Sequence, residues 1–213
     1  ETFTSKKNLS KIEHLPTKLI NLANYFKLNL KTKRNYYFNT SAKDKKNFKK
    51  YYTKFIRRKY ILLHFDEKWA NIKHIENKLF SNILKLQRKI KSKIIISSFK
   101  NKNKYFLDFK KQIFKNKNDK DILLIENSSL PFFERLINRS ICSISCHSGF
   151  LVQIAGANST NVIDIIHKND FKWYSSWKPK NTKHKFIFKS NIDDIFRNIE
   201  KTLESYINDK LFI

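Results

Sequence analysis

The chain of 213 residues reads as an α/β protein built on a doubly wound parallel sheet, and three observations point there. From residue 59 onward, apolar runs of strand length alternate with segments of helical periodicity. The runs "ILL", "IIIS" and "ILLI" are continuously apolar, as strands covered on both faces must be. No internal repeat or low-complexity segment interrupts the alternation beyond lysine-rich patches.

The elements follow in order. Residues 12–29 place Leu15, Leu19, Leu22, Ala23 and Phe26 at helical spacing, with Pro16 suited to a first turn. "NYYFN" (35–39) reads as a short strand, and Ser41 or Asp44 caps a lysine-rich helix running to Arg57. "KYILLHF" (59–65) is a buried strand ending in the polar stretch "DEKWANIK". Ile75, Leu79, Ile83, Leu86 and Ile90 mark one helical face over 74–91, and "SKIIISSF" (92–99) is the next strand. "NKYFLDFKKQIFK" is a short helix and "DILLIEN" (121–127) a strand. "SSLPFFERLINRS" is a helix with Ser128 or Ser129 as cap and Pro131 in its first turn. "ICSIS" is a strand, "FLVQIAGAN" a helix and "NVIDII" a strand. An aromatic loop follows, "KWYSSWKPK", in which a lid packing Trp173 and Trp177 onto the domain is the reading preferred over a base-stacking strip. "KHKFIFKS" is an edge strand, and a terminal helix opens with Asn191 as cap and Asp193 and Asp194 in its first turn, where acids suit the dipole. Residues 1–58 form a linker helix and an edge strand-helix unit, and 59–213 the compact core domain. Because the chain starts at Glu1 and has no methionine, it reads as a piece of a longer protein.

The formal charge of +27 first suggests a polyanionic partner. Yet only seven basic residues are arginine, the preferred fork for phosphates and base edges. Lysine amid abundant Asn, Ile, Phe and Tyr is the mark of A/T-rich coding, which raises charge without selection for nucleic acid. Attraction to an anionic membrane surface is the better functional use of the remainder. Cys142 and Cys146 form neither a disulfide framework nor a metal array and read as buried thiols on one strand face. No apolar run approaches the ~18 residues of a membrane span.

In open α/β sheets ligands bind beyond the carboxyl ends of the strands. The residues there are Asp66, Glu67, Lys68 and Trp69; Ser98 and Phe99; Glu126, Asn127 and Ser128; and Cys146, His147, Ser148 and Gly149. The His147-Ser148-Gly149 turn opens a helix whose free N–H groups and dipole form an anion site. Ser148 caps that helix, and Gly149 allows close backbone approach. Gly156, seven residues on and flanked by alanines, reads as a packing notch against the sheet. His64 is either a pocket residue or a strand-end core histidine, and Glu126 either a hydroxyl-binding carboxylate or a solvated rim charge. His14, His74 and His184 read as surface residues, and His167 merely follows a strand.

The segment "NSSLPFFERLINRSICSISCHSGFLVQIAGA" resembles the donor-binding half of glycosyltransferase family 9, the heptosyltransferase-like enzymes of the GT-B fold. That family has a serine-leucine helix start, a strand, an Asp-Thr-Gly turn and a helix of "xxHLAxA" kind. "YILLHFDEKW" resembles its strand and lysine-tryptophan segment, "WKP" (177–179) its tryptophan-proline stretch, and "HLPTKLINLANYFKLN" its linker helix. The resemblance implies a Rossmann-like domain, one half of a GT-B glycosyltransferase, that binds a nucleotide-sugar donor. Lys68 would neutralise the diphosphate, Ser148 and Gly149 would bind phosphate, and Ser128 and Ser129 would edge the nucleoside pocket. The acceptor would be a glycan or lipid-linked sugar, and the catalytic base would belong to an N-terminal domain, so no catalytic residue is named. Nothing beyond the donor is required as a cofactor, and no metal motif sits at a strand end. The family's turn aspartate is replaced by His147 and its helix histidine by Val152. A cytoplasmic protein peripheral to the inner membrane face is expected. The alternatives are a basic nucleic-acid-binding module and a catalytically degenerate glycosyltransferase-like domain.

Overall fold

A computed structural model describes residues 59–115, 121–180 and 182–208, together with the isolated positions 42, 45, 46 and 49, which are helical and exposed. The expected linker helix at 12–29, the strand at 35–39 and the capping of the lysine-rich helix lie outside the described residues, as does His14.

Among the described residues six strands form one parallel sheet: β1 (Tyr60–Phe65), β2 (Lys93–Ser98), β3 (Ile122–Glu126), β4 (Ser140–Ser145), β5 (Asn161–Ile166) and β6 (His184–Phe188). Their order across the sheet is β3-β2-β1-β4-β5-β6, with every adjacent pair parallel. The chain winds outward from β1 to β3, returns to the other side of β1 as β4, and winds outward again. That is the doubly wound, Rossmann-like topology, and it leaves a crevice at the carboxyl ends of β1 and β4.

Helices cover both faces. On one side α1 (Ile75–Ile90), α2 (Lys104–Lys115) and α6 (Ile192–Asn208) bury Leu79, Ile83, Phe106, Phe109, Ile195 and Leu203 against Ile61, Leu63, Ile94, Ile96 and Ile144. On the other, α3 (Leu130–Arg139) and α4 (Gly149–Ala157) bury Phe133, Leu136, Leu151 and Ala155 against Tyr60, Leu62, Ile95 and Val162. Alternate residues of each strand therefore serve opposite cores, which is why β1, β2, β4 and β5 carry no solvent-exposed face. Cys142 and Cys146 are both buried in the first core, as their spacing requires.

Local signals act as their chemistry dictates. Asn191 Oδ1 accepts from the Asp194 N–H at 2.9 Å, capping α6. Ser129 occupies the cap position of α3 with no capping hydrogen bond from its side chain, and Pro131 lies in the first turn. The polar stretch "DEKWANIK" holds a 3₁₀ helix, Glu67–Asn71. The aromatic loop is helical, with α5 spanning Phe171–Trp177; of the two expected lid residues Trp177 is half-buried, whereas Trp173 is 61% exposed, with its ring against Trp177.

Gly156 is a packing notch, but its partner is not the sheet. A Cβ there would stand 2.5 Å from Pro179 Cγ and 2.6 Å from Pro179 Cβ, so the missing side chain admits the segment following α5. Gly149 has a negative φ, and nothing lies within 4 Å of where its Cβ would stand. Gly156→Ala is therefore expected to cost about 1–3 kcal/mol by overpacking. Gly149→Ala should leave stability unchanged within about 0.5 kcal/mol. Paired thermal or urea denaturation of the two variants checks this, and equal losses would contradict the assignment.

Candidate functional site

The crevice is built from the ends of β1 and β4. Trp69 is fully buried, donates its indole N–H to the His64 carbonyl at 3.0 Å and packs its ring on Phe65 at 4.4 Å between centroids. Asp66 caps the same 3₁₀ turn by accepting the Lys68 N–H at 3.1 Å. With Trp69 pinned inward, its neighbour Lys68 is held outward, and its ammonium donates to the His147 carbonyl at 2.6 Å. The lysine that follows β1 and the turn after β4, 79 residues apart, thus meet across the crevice. Lys189 brings a second ammonium to the crevice, donating to the Lys68 carbonyl in the 3₁₀ turn at 3.4 Å.

The turn after β4 takes its positive φ at His147 (46°) rather than at either glycine. This left-handed step is uncommon for a residue bearing a Cβ. It lets Ser148 cap α4, accepting the Leu151 N–H at 3.5 Å, while the Ser148 N–H is held by Ser145 Oγ at 3.2 Å. The first turn of α4 consequently presents its positive dipole end at the rim.

Two hollows flank this helix start. One of about 390 Å³ is lined by His64, Asp66, Phe99, Asn101, Ser148 and Phe150 on the β1–β2 side. The other, about 240 Å³, is lined by His147, Gly149, Gln153, Asp164, Tyr174 and Trp177 on the β4–β6 side. A larger hollow of about 460 Å³ lies between α1 and α6, away from the carboxyl rim, and its Lys78 and Asp193 walls are ion-paired with each other.

Lys68, His147, Ser148, Gly149 and His64 therefore cluster at one crevice. The β3 residues stand apart, because β2 and β1 separate β3 from β4. Ser128 and Ser129 line neither flanking hollow, and Glu126 is ion-paired to Lys110 at 2.5 Å, which removes it from the pocket. His184 is not a surface residue: its side chain is 2% exposed. His74 is exposed at the start of α1.

What sequence reasoning missed is a buried polar row one step below the rim. Ser97, His64, Ser145 and Asp164 are register partners across β2, β1, β4 and β5, all on the face covered by α3 and α4 and all buried. Asp164 is the charged member, 0% exposed, with His147 Nδ1 at 2.6 Å from its Oδ2 and His184 Nε2 at 3.6 Å. Burial raises the carboxyl pKa, but hydrogen bonding and charge from the two histidines outweigh it and hold the group below the usual range. An ionised carboxylate only accepts, so the His147 Nδ1 carries the proton and the tautomer is fixed. Tyr174 stacks on His147 with centroids 3.3 Å apart, completing the clamp. The available signal was an acid in the middle of "NVIDII", where every neighbour on the strand face is apolar.

His64 bonds Ser97 Oγ at 3.0 Å and packs its ring on Phe99 and Phe133. Burial disfavours its charged form and pushes its pKa down to about 4. The unfolded chain, with an ordinary histidine, binds more protons between about pH 6.5 and 4, so His64 stabilises the fold above that window. The contribution falls away as pH drops through it, by about 3 kcal/mol in total. Urea denaturation from neutral pH down to that folded-state pKa should show this loss, and His64→Leu should flatten it; an unchanged slope in the variant would contradict a buried neutral His64.

No family model and no curated protein matches the chain. Solved structures do. The UDP-GlcNAc 2-epimerase of Methanocaldococcus jannaschii, solved with UDP-GlcNAc and UDP, is similar over 79% of this chain and 42% of its own, at 16% identity and a TM-score of 0.55. The ADP-heptose lipopolysaccharide heptosyltransferase II of E. coli is similar over 82% and 54%, at 10% identity and a TM-score of 0.57. The UDP-GlcNAc 2-epimerase of Neisseria meningitidis, bound to UDP-GlcNAc, is similar over 78% and 43%, at 17% identity and a TM-score of 0.53. The chain spans about half the length of the structures it matches. Its six-stranded parallel sheet with helices on both faces has the fold of one half of these GT-B enzymes.

Proposed function

We propose that the chain is the donor-binding domain of a glycosyltransferase that moves a sugar from a nucleoside diphosphate to a glycan or lipid-linked acceptor. The observation carrying this reading is the Lys68 ammonium lodged on the His147 carbonyl beside the α4 N-terminus, at the switch point between β1 and β4. A diphosphate seated there draws Lys68 from the carbonyl onto a full charge and accepts the N–H groups at Gly149. As the glycosyl bond breaks, negative charge builds on the leaving diphosphate, and a lysine and a helix dipole stabilise it without moving a proton. The hollows on either side give room for what is attached at each end of the diphosphate. The base that deprotonates the acceptor belongs, on this reading, to a preceding domain. The domain division at residue 58 and a place at the cytoplasmic membrane face, held by the +27 charge, are parts of the same proposal.

A nucleotide-sugar epimerase is the second reading, favoured by the UDP-GlcNAc-bound epimerases among the similar structures. It shares the diphosphate site and differs in needing no acceptor. Calorimetric titration with UDP and ADP tests the shared site. One of the two should bind, and Lys68→Ala should weaken it by about 10-fold or more, the scale of a lost charge-assisted hydrogen bond. No binding of either, or an unchanged affinity in the variant, would overturn the proposal.

A further inference from the structure

The hollow behind His147 has walls that the diphosphate does not use. Asp164 Oδ1, the Trp177 indole N–H and His184 Nδ1 are shut from solvent and have no hydrogen-bond partner among the described residues, while His184 Nε2 faces Asp164 Oδ2 at 3.6 Å. Asp164, Trp177 and His184 all line this one cavity. Buried polar groups are ordinarily paired, because an unpaired one has given up its hydration for nothing. Three such atoms around one cavity specify what completes it.

The occupant must donate to a carboxylate oxygen and accept from an indole N–H at once, which a hydroxylated ring does and an aliphatic group does not. At about 240 Å³ the cavity falls below the ~300–1,000 Å³ of pockets for drug-sized ligands, so it suits one ring rather than a nucleoside. Tyr174 and Trp177 supply flat apolar walls for the C–H faces of such a ring. His147 and Gly149 belong to both the cavity and the start of α4, so the hollow opens directly onto the proposed diphosphate position.

We infer that this cavity is a monosaccharide subsite, in which Asp164, His184 and Trp177 hold the hydroxyl groups of the donor's sugar. It rests on the diphosphate reading and adds the residues that recognise the sugar. Entry displaces the Tyr174 ring from its stack on His147, uncovering the polar groups beneath it. Asp164 serves twice, its Oδ2 fixing the His147 tautomer and its Oδ1 meeting a hydroxyl.

The test compares UDP with UDP-GlcNAc, and ADP with an ADP-linked hexose, by calorimetry on the protein as it stands. At least one conjugate should bind about 10-fold tighter than its own diphosphate, the equivalent of one or two satisfied hydrogen bonds. Trp177→Phe keeps an aromatic ring and removes the N–H, and His184→Gln keeps a polar group of different reach. Each should shrink the sugar increment to within about 2-fold while leaving diphosphate affinity unchanged. Equal binding of conjugates and diphosphates by the unaltered protein, or equal weakening of both by the variants, would overturn the subsite while sparing the diphosphate site. Failure of all four compounds to bind would overturn both.

Discussion

The gap between the carboxyl ends of β1 and β4 is the constraint on which the rest of the molecule depends. A parallel sheet needs a crossover for every strand, and the crossovers leaving β1 and leaving β4 run in opposite directions. Neither connection covers the gap, so its polar groups must satisfy one another or meet a ligand. Here Lys68 reaches across to the His147 carbonyl, Cys146 Sγ lies 3.5 Å from the Lys68 carbonyl, and Lys189 donates to that same carbonyl. Burial next to the crevice pushes the Cys146 thiol up to about 12, so it stays neutral and contributes no anion against an incoming phosphate. Three carboxylates near the rim are engaged by neighbours, Asp66 in a cap, Glu126 on Lys110 and Asp164 beneath His147, while Glu67 stands exposed beside Lys68.

A second dependence runs through the buried charge of Asp164. In the interior an isolated carboxylate is untenable, and its pairing with His147 holds that ring at a fixed angle. The same residue carries the left-handed backbone, and Ser148 after it caps the α4 N-terminus. Replacement of the resembled family's aspartate by histidine at this turn is thus accompanied by an acid one strand away. The turn thereby gains a donor that faces both the crevice and the cavity beside it.

The sheet was legible in the sequence because each strand is a short apolar run bounded by polar or turn residues, and the helices carry clear faces such as Ile75, Leu79, Ile83 and Leu86. Lys68 and the 147–149 turn were legible because strand ends locate the rim. The rest depends on distance in space. Nothing local in "HKFIF" says that His184 lies beside β5, since only the β5–β6 pairing brings it to Asp164. Nor does "ENSS" reveal that Glu126 meets Lys110 of α2. Gly156 showed its need for a small residue through its alanine neighbours, but the proline filling the notch, Pro179, comes from beyond the next strand and helix.

Amide NMR mapping of where a nucleoside diphosphate sits decides between a built site and a merely basic surface. Titration with the tighter-binding of UDP and ADP should perturb the amides of Lys68 and of 147–151 first and most, with saturation, and high salt should weaken but not redistribute the pattern. Diffuse, non-saturating shifts over the lysine-bearing helix surfaces, vanishing with salt, would contradict a site at the β1–β4 crevice and point to unspecific polyanion binding instead.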